Sequence, residues 1–376
     1  MAKVFSKNSL LAVASQFQPS NTIKAIEPLG YGNVNQTFLV TTNSSDVANF
    51  VMQRLNIAVF SQPKLVVQNM LALSSHVEQK LTDGVPQLGK RRWETPRPLK
   101  LGHGNHHWFE ENGNFWRAIS YVNNAICLEV VSDLNQAQEI GFGLGIFHLL
   151  ISDLPTTALT DTLRDFHITP NYLAAYQQVL KSSQIASSPN IDWCINFIQQ
   201  RHGIASVLED AKAAGELLLR PIHGDPKVNN LMLDAESGQA IALIDLDTVK
   251  PGLVHYDIGD CLRSGCNPLG EETTNLGAVH FDLQLCEAIL EGYLTVARGF
   301  LNEADHHYLY DAIRLIPFEL GLRFFSDYLN GNVYFRSDFP SHNLQRALVQ
   351  FKLTESIEAQ EQKIRAILER LRGSHP

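Results

Sequence analysis

Residues 223–247, HGDPKVNNLMLDAESGQAIALIDLD, constrain the fold more than any other stretch of this chain. A polar loop with His223, Asp225, Lys227 and Asn230 runs into the apolar Leu231–Leu233, then the turn sequence DAESG, then AIALID. That is the pattern of a hairpin whose second strand returns to the neighbourhood of the loop. Asp225, Asn230 and Asp245 are therefore expected to converge at one end of the hairpin.

Phosphoryl transfer requires convergence of this kind. One carboxylate accepts the proton of an attacking hydroxyl, while an amide oxygen and a second carboxylate hold Mg²⁺ on the nucleotide phosphates. Asp225 to Asn230 has the D-x-x-x-x-N spacing of a kinase catalytic loop, and Asp245 stands where the metal-binding Asp follows the hairpin. Asn and Asp also favour turns. Turn chemistry explains single members of the set, but not the whole set preceded by His223 and flanked by apolar strands.

The 376 residues are about twice a usual domain, which suits one large unit or two lobes around a cleft. Between about residues 22 and 120 the runs TIKAIEPL, VNQTFLVTT, NFVMQRLN, RPLKL, HHWFE and FWRAISYV read as strands. One helix interrupts them, QPKLVVQNMLALSSHVEQKL, with Leu65, Asn69, Leu73 and Val77 along one face. Helical patterns then dominate at 134–152, 170–182, 189–213, 280–298, 304–330 and 342–372. The expectation is an α+β fold, with a small sheet lobe over 1–121, a mainly helical lobe over 122–376, and a ligand cleft at the hinge near Tyr121–Asn124.

Charge narrows the partners. Thirty Lys and Arg against 39 Asp and Glu give a net charge of −9, which opposes attraction to nucleic acid or anionic lipid. The basic cluster GKRRW is short enough to be a solvated turn. Five scattered cysteines form no disulfide framework, and a reducing cytoplasm is expected. Neither a signal peptide nor a run of about 18 apolar residues is evident, so no membrane association is expected.

Three other features are weaker signals. Gly30 and Gly32 in EPLGYGNVNQTFLV sit between strands, where bare backbone can approach an anion. GFGLG (141–145) lies inside a helical pattern and reads as close helix packing, not as a dinucleotide turn. His103, His106 and His107 lack a carboxylate or thiol at ligand spacing.

The HGD…N loop followed by ID resembles the aminoglycoside phosphotransferase and choline kinase superfamily. VMQRLN (51–56), HGDPKVNN, IDLDTVKPGLVHYDIGD (244–260) and ELGLRFFSDYLNGNVYF (319–335) look most like its bacterial N-acetylhexosamine 1-kinase branch. The resemblance implies a protein-kinase-like fold with an antiparallel small-lobe sheet. It also implies ATP held by Gly30, Gly32, Asn35, Tyr121 and Val122, Mg²⁺ on Asn230 and Asp245, and Asp225 activating a hydroxyl, the anomeric one in that branch. Asp257 and Asp260 of YDIGD would support the loop and cap the following helix.

The usual strand lysine is missing from FVMQRLN. Gln53 and Arg54 are the candidates to replace it, with the facing residue undecided, and Lys227 could compensate by approaching the transferred phosphate. The usual partner Glu is also missing, since the helix offers Asn69 and, late, Glu78. Arg323, Asp327 and Tyr334 are candidates for holding sugar hydroxyls or an acetamido group. The structural alternative is a surface ion pair between Arg323 and Asp327 at i,i+4 and a packed Tyr334 ring. The acceptor itself is not encoded in the loop: an aminoglycoside, choline, homoserine or another sugar stays open, as does a catalytically silent nucleotide-binding regulator. The C-terminal EAQEQKIRAILERLRG reads as an amphipathic helix that packs on the large lobe or pairs with a partner.

Overall fold

In the computed structural model, residues 5–30, 34–43 and 47–373 are described. The first lobe comprises α1 (Lys7–Ala14), β1 (Ile23–Pro28), β2 (Gln36–Thr42), β3 (Phe50–Leu55), α2 (Pro63–Asp83), β4 (Phe109–Glu111) and β5 (Asn114–Ser120). Its sheet has the order β1-β2-β3-β5-β4 with every neighbouring pair antiparallel.

Alternation along the strands assigns the two faces. Phe50, Met52, Trp116 and Ala118 pack beneath Leu10, Val13 and Ala14 of α1, whereas Val51 and Ile119 meet Met70, Leu73 and Val77 of α2. RPLKL, expected as a strand, makes only an isolated bridge from Pro98 to Ile119. Pro96 and Pro98 have no N–H to extend a ladder.

The chain leaves β5 and enters the second lobe at β6 (Ala125–Cys127), followed by α3 (Leu134–Ile151), α4 (Thr169–Ser182), α5 (Pro189–Arg201), α6 (Val207–Ala213), β7 (Arg220–Ile222), β8 (Leu231–Asp234), β9 (Ala240–Leu243) and β10 (Lys250–Gly252). It ends with α7 (Val254–Gly265), α8 (Leu283–Ala297), α9 (Glu303–His307), α10 (Leu309–Leu329), α11 (His342–Ala359) and α12 (Glu361–Gly373). The expected hairpin is β8–β9, and β6 pairs with its β8 edge. Three long helical patterns are broken, at His202–Ile204, Tyr308 and Gln360. Helix α7 starts earlier than anticipated: a helix was expected only after YDIGD, but it already begins at Val254, although VHYDIGD is rich in poor helix formers.

Helices α3 and α8 approach closely. A Cβ at Gly141 would lie 1.8 Å from the Ile289 carbonyl oxygen, and one at Gly292 would lie 2.0 Å from that of Gln138. GFGLG is thus a packing surface. α12 buries Ile364, Ile367 and Leu371 in the main core. Among the described residues no helix is long and apolar enough to cross a membrane.

Candidate active site

The loop between β7 and β8 carries the polar cluster. Gly224 has φ +89°, and a Cβ there would lie 2.8 Å from the Thr248 carbonyl oxygen, so no side chain fits. Buried His223 accepts the Asp225 N–H at Nδ1 (3.2 Å) and donates from Nε2 to the Ile244 carbonyl (2.8 Å). One acceptor and one donor define a neutral ring, and burial holds its pKa below the ordinary value.

Asn230 donates its amide N–H to the Asp225 carbonyl (2.7 Å) and carboxylate (3.2 Å), which turns its own oxygen outward with no partner among the described residues. Lys227 Nζ lies 2.9 Å from Asp225 Oδ2. Burial by itself would raise the Asp225 pKa, but Lys227 and the more distant Arg263 outweigh it and hold the carboxyl below its usual range.

Asp245 ends the hairpin in the left-handed conformation, φ 62° and ψ 51°. Such strain is sustained when the surroundings over-determine it. Asp245 is exposed and makes no ion pair among the described residues. It is pushed up to about 7 by desolvation and then by the Asp247 and Asp225 charges, against the pull of Lys227 and Arg117. Asp225, Asn230 and Asp245 thus share one end of the hairpin.

Helix α7 secures this loop. The Asp257 carboxylate accepts the N–H groups of His223 (2.7 Å) and Gly224 (2.8 Å) and meets His148 Nε2 of α3 at 2.9 Å. The expected loop support is present, but the expected cap is not: Asp257 and Asp260 both lie within α7, and Asp260 pairs with Arg263 at 2.7 Å.

On β3, Gln53 faces the cleft side and Arg54 faces away. Arg54 bonds Gln36 (2.8 Å) and Asn114 (3.0 Å) and lies over the Phe5 ring. Gln53 accepts from Arg117 on β5 (2.6 and 2.9 Å), and the buried Arg117 guanidinium pairs with the buried Asp247 carboxylate. The cation beside the Asp245–Asp247 segment therefore comes from the neighbouring strand. Asn69 instead bonds Thr160 and Val249 carbonyls, and Glu78 pairs with Arg97 at the surface. Arg117 and Asp247 were missed in the sequence, although a charge inside FWRAIS and the second Asp of IDLD were visible signals.

Arg117→Met is expected to destabilise the fold by about 3 kcal/mol, because it strands a buried carboxylate. Arg117→Met/Asp247→Asn should recover most of the loss in urea unfolding, and simple additivity of the single variants would contradict the pairing.

Among the expected nucleotide contacts, Gly30 adopts φ +69° after β1, and Gly32 lies outside the described residues. Asn35 donates to Asp247 (2.6 Å) and accepts the Asn56 N–H (3.0 Å), so it ties the end of β3 to the segment after β9. Tyr121 is half-buried against the main core, and Val122 packs with Ile241 and Ala242 of β9.

The acceptor candidates separate. Asp327 is spent on backbone: it accepts the N–H groups of Val333 (2.9 Å), Tyr334 (2.7 Å) and Phe335 (2.9 Å) and the Asn343 amide (3.1 Å). Arg323 makes no pair with it. The Arg323 guanidinium stands among the rings of Phe166 and Tyr172 (5.0 Å each), Phe335 (5.4 Å) and Tyr334 (5.9 Å), with no hydrogen bond among the described residues. It lies within the electrostatic reach of Asp225 and Glu319. Tyr334 is 45% exposed and sets its ring edge-on to Phe335 at 4.8 Å, so the packed-ring alternative describes one face of it.

A two-lobed α+β chain with an Asp-centred loop, and an Asn and an Asp at the two ends of a strand hairpin, is the arrangement of a kinase-like phosphotransferase. Residues 25–298 match the phosphotransferase enzyme family, and the chain belongs to that family, whose members act on hydroxyl acceptors. Solved structures agree on the fold. An aminoglycoside phosphotransferase from Alicyclobacillus acidocaldarius is 16% identical, with a TM-score of 0.60 over 100% of this chain and 97% of that one. A choline kinase from Cryptosporidium parvum is 12% identical, with a TM-score of 0.59 over 97% and 99%. Spectinomycin phosphotransferase, in complex with ADP and spectinomycin, is 12% identical, with a TM-score of 0.58 over 96% and 100%.

Proposed function

We propose that this protein transfers the γ-phosphoryl group of ATP to the anomeric hydroxyl of an N-acetylhexosamine or a related neutral sugar. The observation that carries the choice of acceptor is the unpaired Arg323 guanidinium within its cage of rings, in the field of Asp225. A cationic acceptor would meet a like charge there, which is costly. A neutral sugar offers oxygens to the guanidinium and an apolar ring face to the aromatics.

The Asn230 amide oxygen and the Asp245 carboxylate are hard oxygen donors free of other partners, a set suited to Mg²⁺. Among the described residues no group of three or more His, Cys, Asp or Glu could hold a metal, and Mg²⁺ commonly takes only one or two protein ligands. When bound, the ion neutralises charge on the phosphates. Asp225 orients the attacking hydroxyl and receives its proton, and Lys227, beside it, supplies positive charge for the transferred group. Asn35, Gln53, Tyr121, Val122 and the glycine turn frame the nucleotide side. Asp327 acts by holding the loop that presents Tyr334.

The test is Mg-ATP consumption against N-acetylhexosamines, neutral hexoses, aminoglycosides, choline, ethanolamine and homoserine. Turnover is expected only on sugars with a free anomeric hydroxyl, and Arg323→Met should raise the KM for the sugar while leaving that for Mg-ATP unchanged. Turnover on a cationic acceptor, or an Arg323→Met enzyme with wild-type KM, would sink the proposed acceptor.

A further inference from the structure

Opposite Asp257, a second buried group grips the catalytic loop. His167 precedes α4 with φ +67°. Its Nε2 lies 2.6 Å from the Gly224 carbonyl oxygen, and its Nδ1 lies 2.9 Å from Glu319 Oε1 of α10. A backbone carbonyl can only accept, so Nε2 carries a hydrogen. The other nitrogen faces a carboxylate, so a second proton lies between Nδ1 and Oε1. Glu319 Oε2 in turn accepts the Thr169 hydroxyl at 2.6 Å.

His223 and His148 differ in this respect. His223 receives an N–H and donates once, and His148 faces one carboxylate and one hydroxyl that can play either role. Of these three histidines, His167 alone has a plain acceptor on both sides.

We infer that His167 and Glu319 form a buried pair with both imidazole nitrogens protonated, and that this pair positions Asp225 by holding the Gly224 carbonyl. The inference rests on the reading of Asp225 as the catalytic base. Neither residue of the pair is placed on substrate; they act through the backbone immediately before Asp225. The Asp257 bonds fix the N–H side of this turn, and His167 fixes its carbonyl side.

The groups facing the pair come from several elements. α10 brings Glu319 and Arg323, α7 brings Asp260 and the Tyr256 ring stacked at 5.0 Å, and α4 brings Tyr172. Lys250 of β10 bonds the Phe166 carbonyl at 3.1 Å. Burial disfavours the imidazolium, but the adjoining Glu319, the Gly224 carbonyl and Asp260 outweigh it and raise the His167 pKa. A raised histidine value means that the protonated pair is complete at lower pH and is lost as the pH rises through it.

The test uses ¹⁵N-histidine-labelled protein at about pH 8, above the ordinary histidine value of about 6.5. One histidine is expected to show two protonated ring nitrogens, and that signal should disappear in His167→Gln and titrate at lower pH in Glu319→Gln. On a sugar that supports wild-type turnover, Glu319→Gln should lower kcat about tenfold or more, with KM for Mg-ATP unchanged, and move the loss of kcat to lower pH. His167→Gln retains a donor without a titrating proton, so it should outperform His167→Ala and lose that limb of the pH profile. Absence of a doubly protonated histidine, or a Glu319→Gln enzyme with wild-type kcat at every pH, would overturn the inference. A wild type inactive on every acceptor would instead count against the base reading, and the nitrogen spectrum would still decide the protonation of His167.

Discussion

Asp225→Asn is expected to lower turnover about 10²- to 10⁴-fold, the usual span of general acid–base catalysis, while Mg-ATP binding persists. The amide is nearly isosteric with the carboxylate but cannot accept a proton. The Asn230 bond to the residue 225 carbonyl does not depend on the acid, so the loop should keep its shape. The measurement pairs single-turnover rates with nucleotide titration of both forms. Wild-type turnover in the variant would remove Asp225 from the base role, and loss of nucleotide binding would make it part of the nucleotide site.

Asp257→Ala should be the most destabilising of these changes, by about 3–5 kcal/mol. It leaves the His223 and Gly224 N–H groups without an acceptor and His148 without its carboxylate, all in the interior. Burial opposes the Asp257 charge, but the bonds from His148 and the backbone hold its pKa below the ordinary value. Its stabilisation is therefore complete above the unfolded carboxyl value of about 4 and is lost as the pH falls through the lower folded value. Asp257→Asn, which cannot ionise, should flatten this part of the acid dependence of the urea midpoint. A midpoint in Asp257→Ala equal to that of the wild type would contradict the clamp.

The polar loop and hairpin were legible because they are local. Asp225, Asn230 and Asp245 lie within one loop-and-hairpin stretch, so hairpin closure alone brings them together. Strands of the first lobe showed in their alternation, and GFGLG showed as packing because no strand precedes it. The misread stretches had conflicting local signals: Pro98 in RPLKL, expected as a strand, and polar residues buried within the helix over VHYDIGD.

The choice between Gln53 and Arg54 was not legible, because it depends on which face of β3 meets α2 and the Arg117–Asp247 pair. The same holds for Arg323, whose four rings come from sequence positions 166, 172, 334 and 335. Arg117 reaches Asp247 across 130 residues, and His167 reaches Glu319 across 152.

Short-range spacing was thus enough to point to a kinase-like phosphotransferase and to bring the proposed base and metal ligands into one stretch. Long-range packing decided the Arg117–Asp247 pair, the Asp257 and His167 contacts on the two sides of the loop and the unpaired Arg323 guanidinium. The reason is physical: a hairpin closes through its own turn, whereas the partner of a buried charge is whatever the folded core brings to it, and no local pattern encodes that meeting.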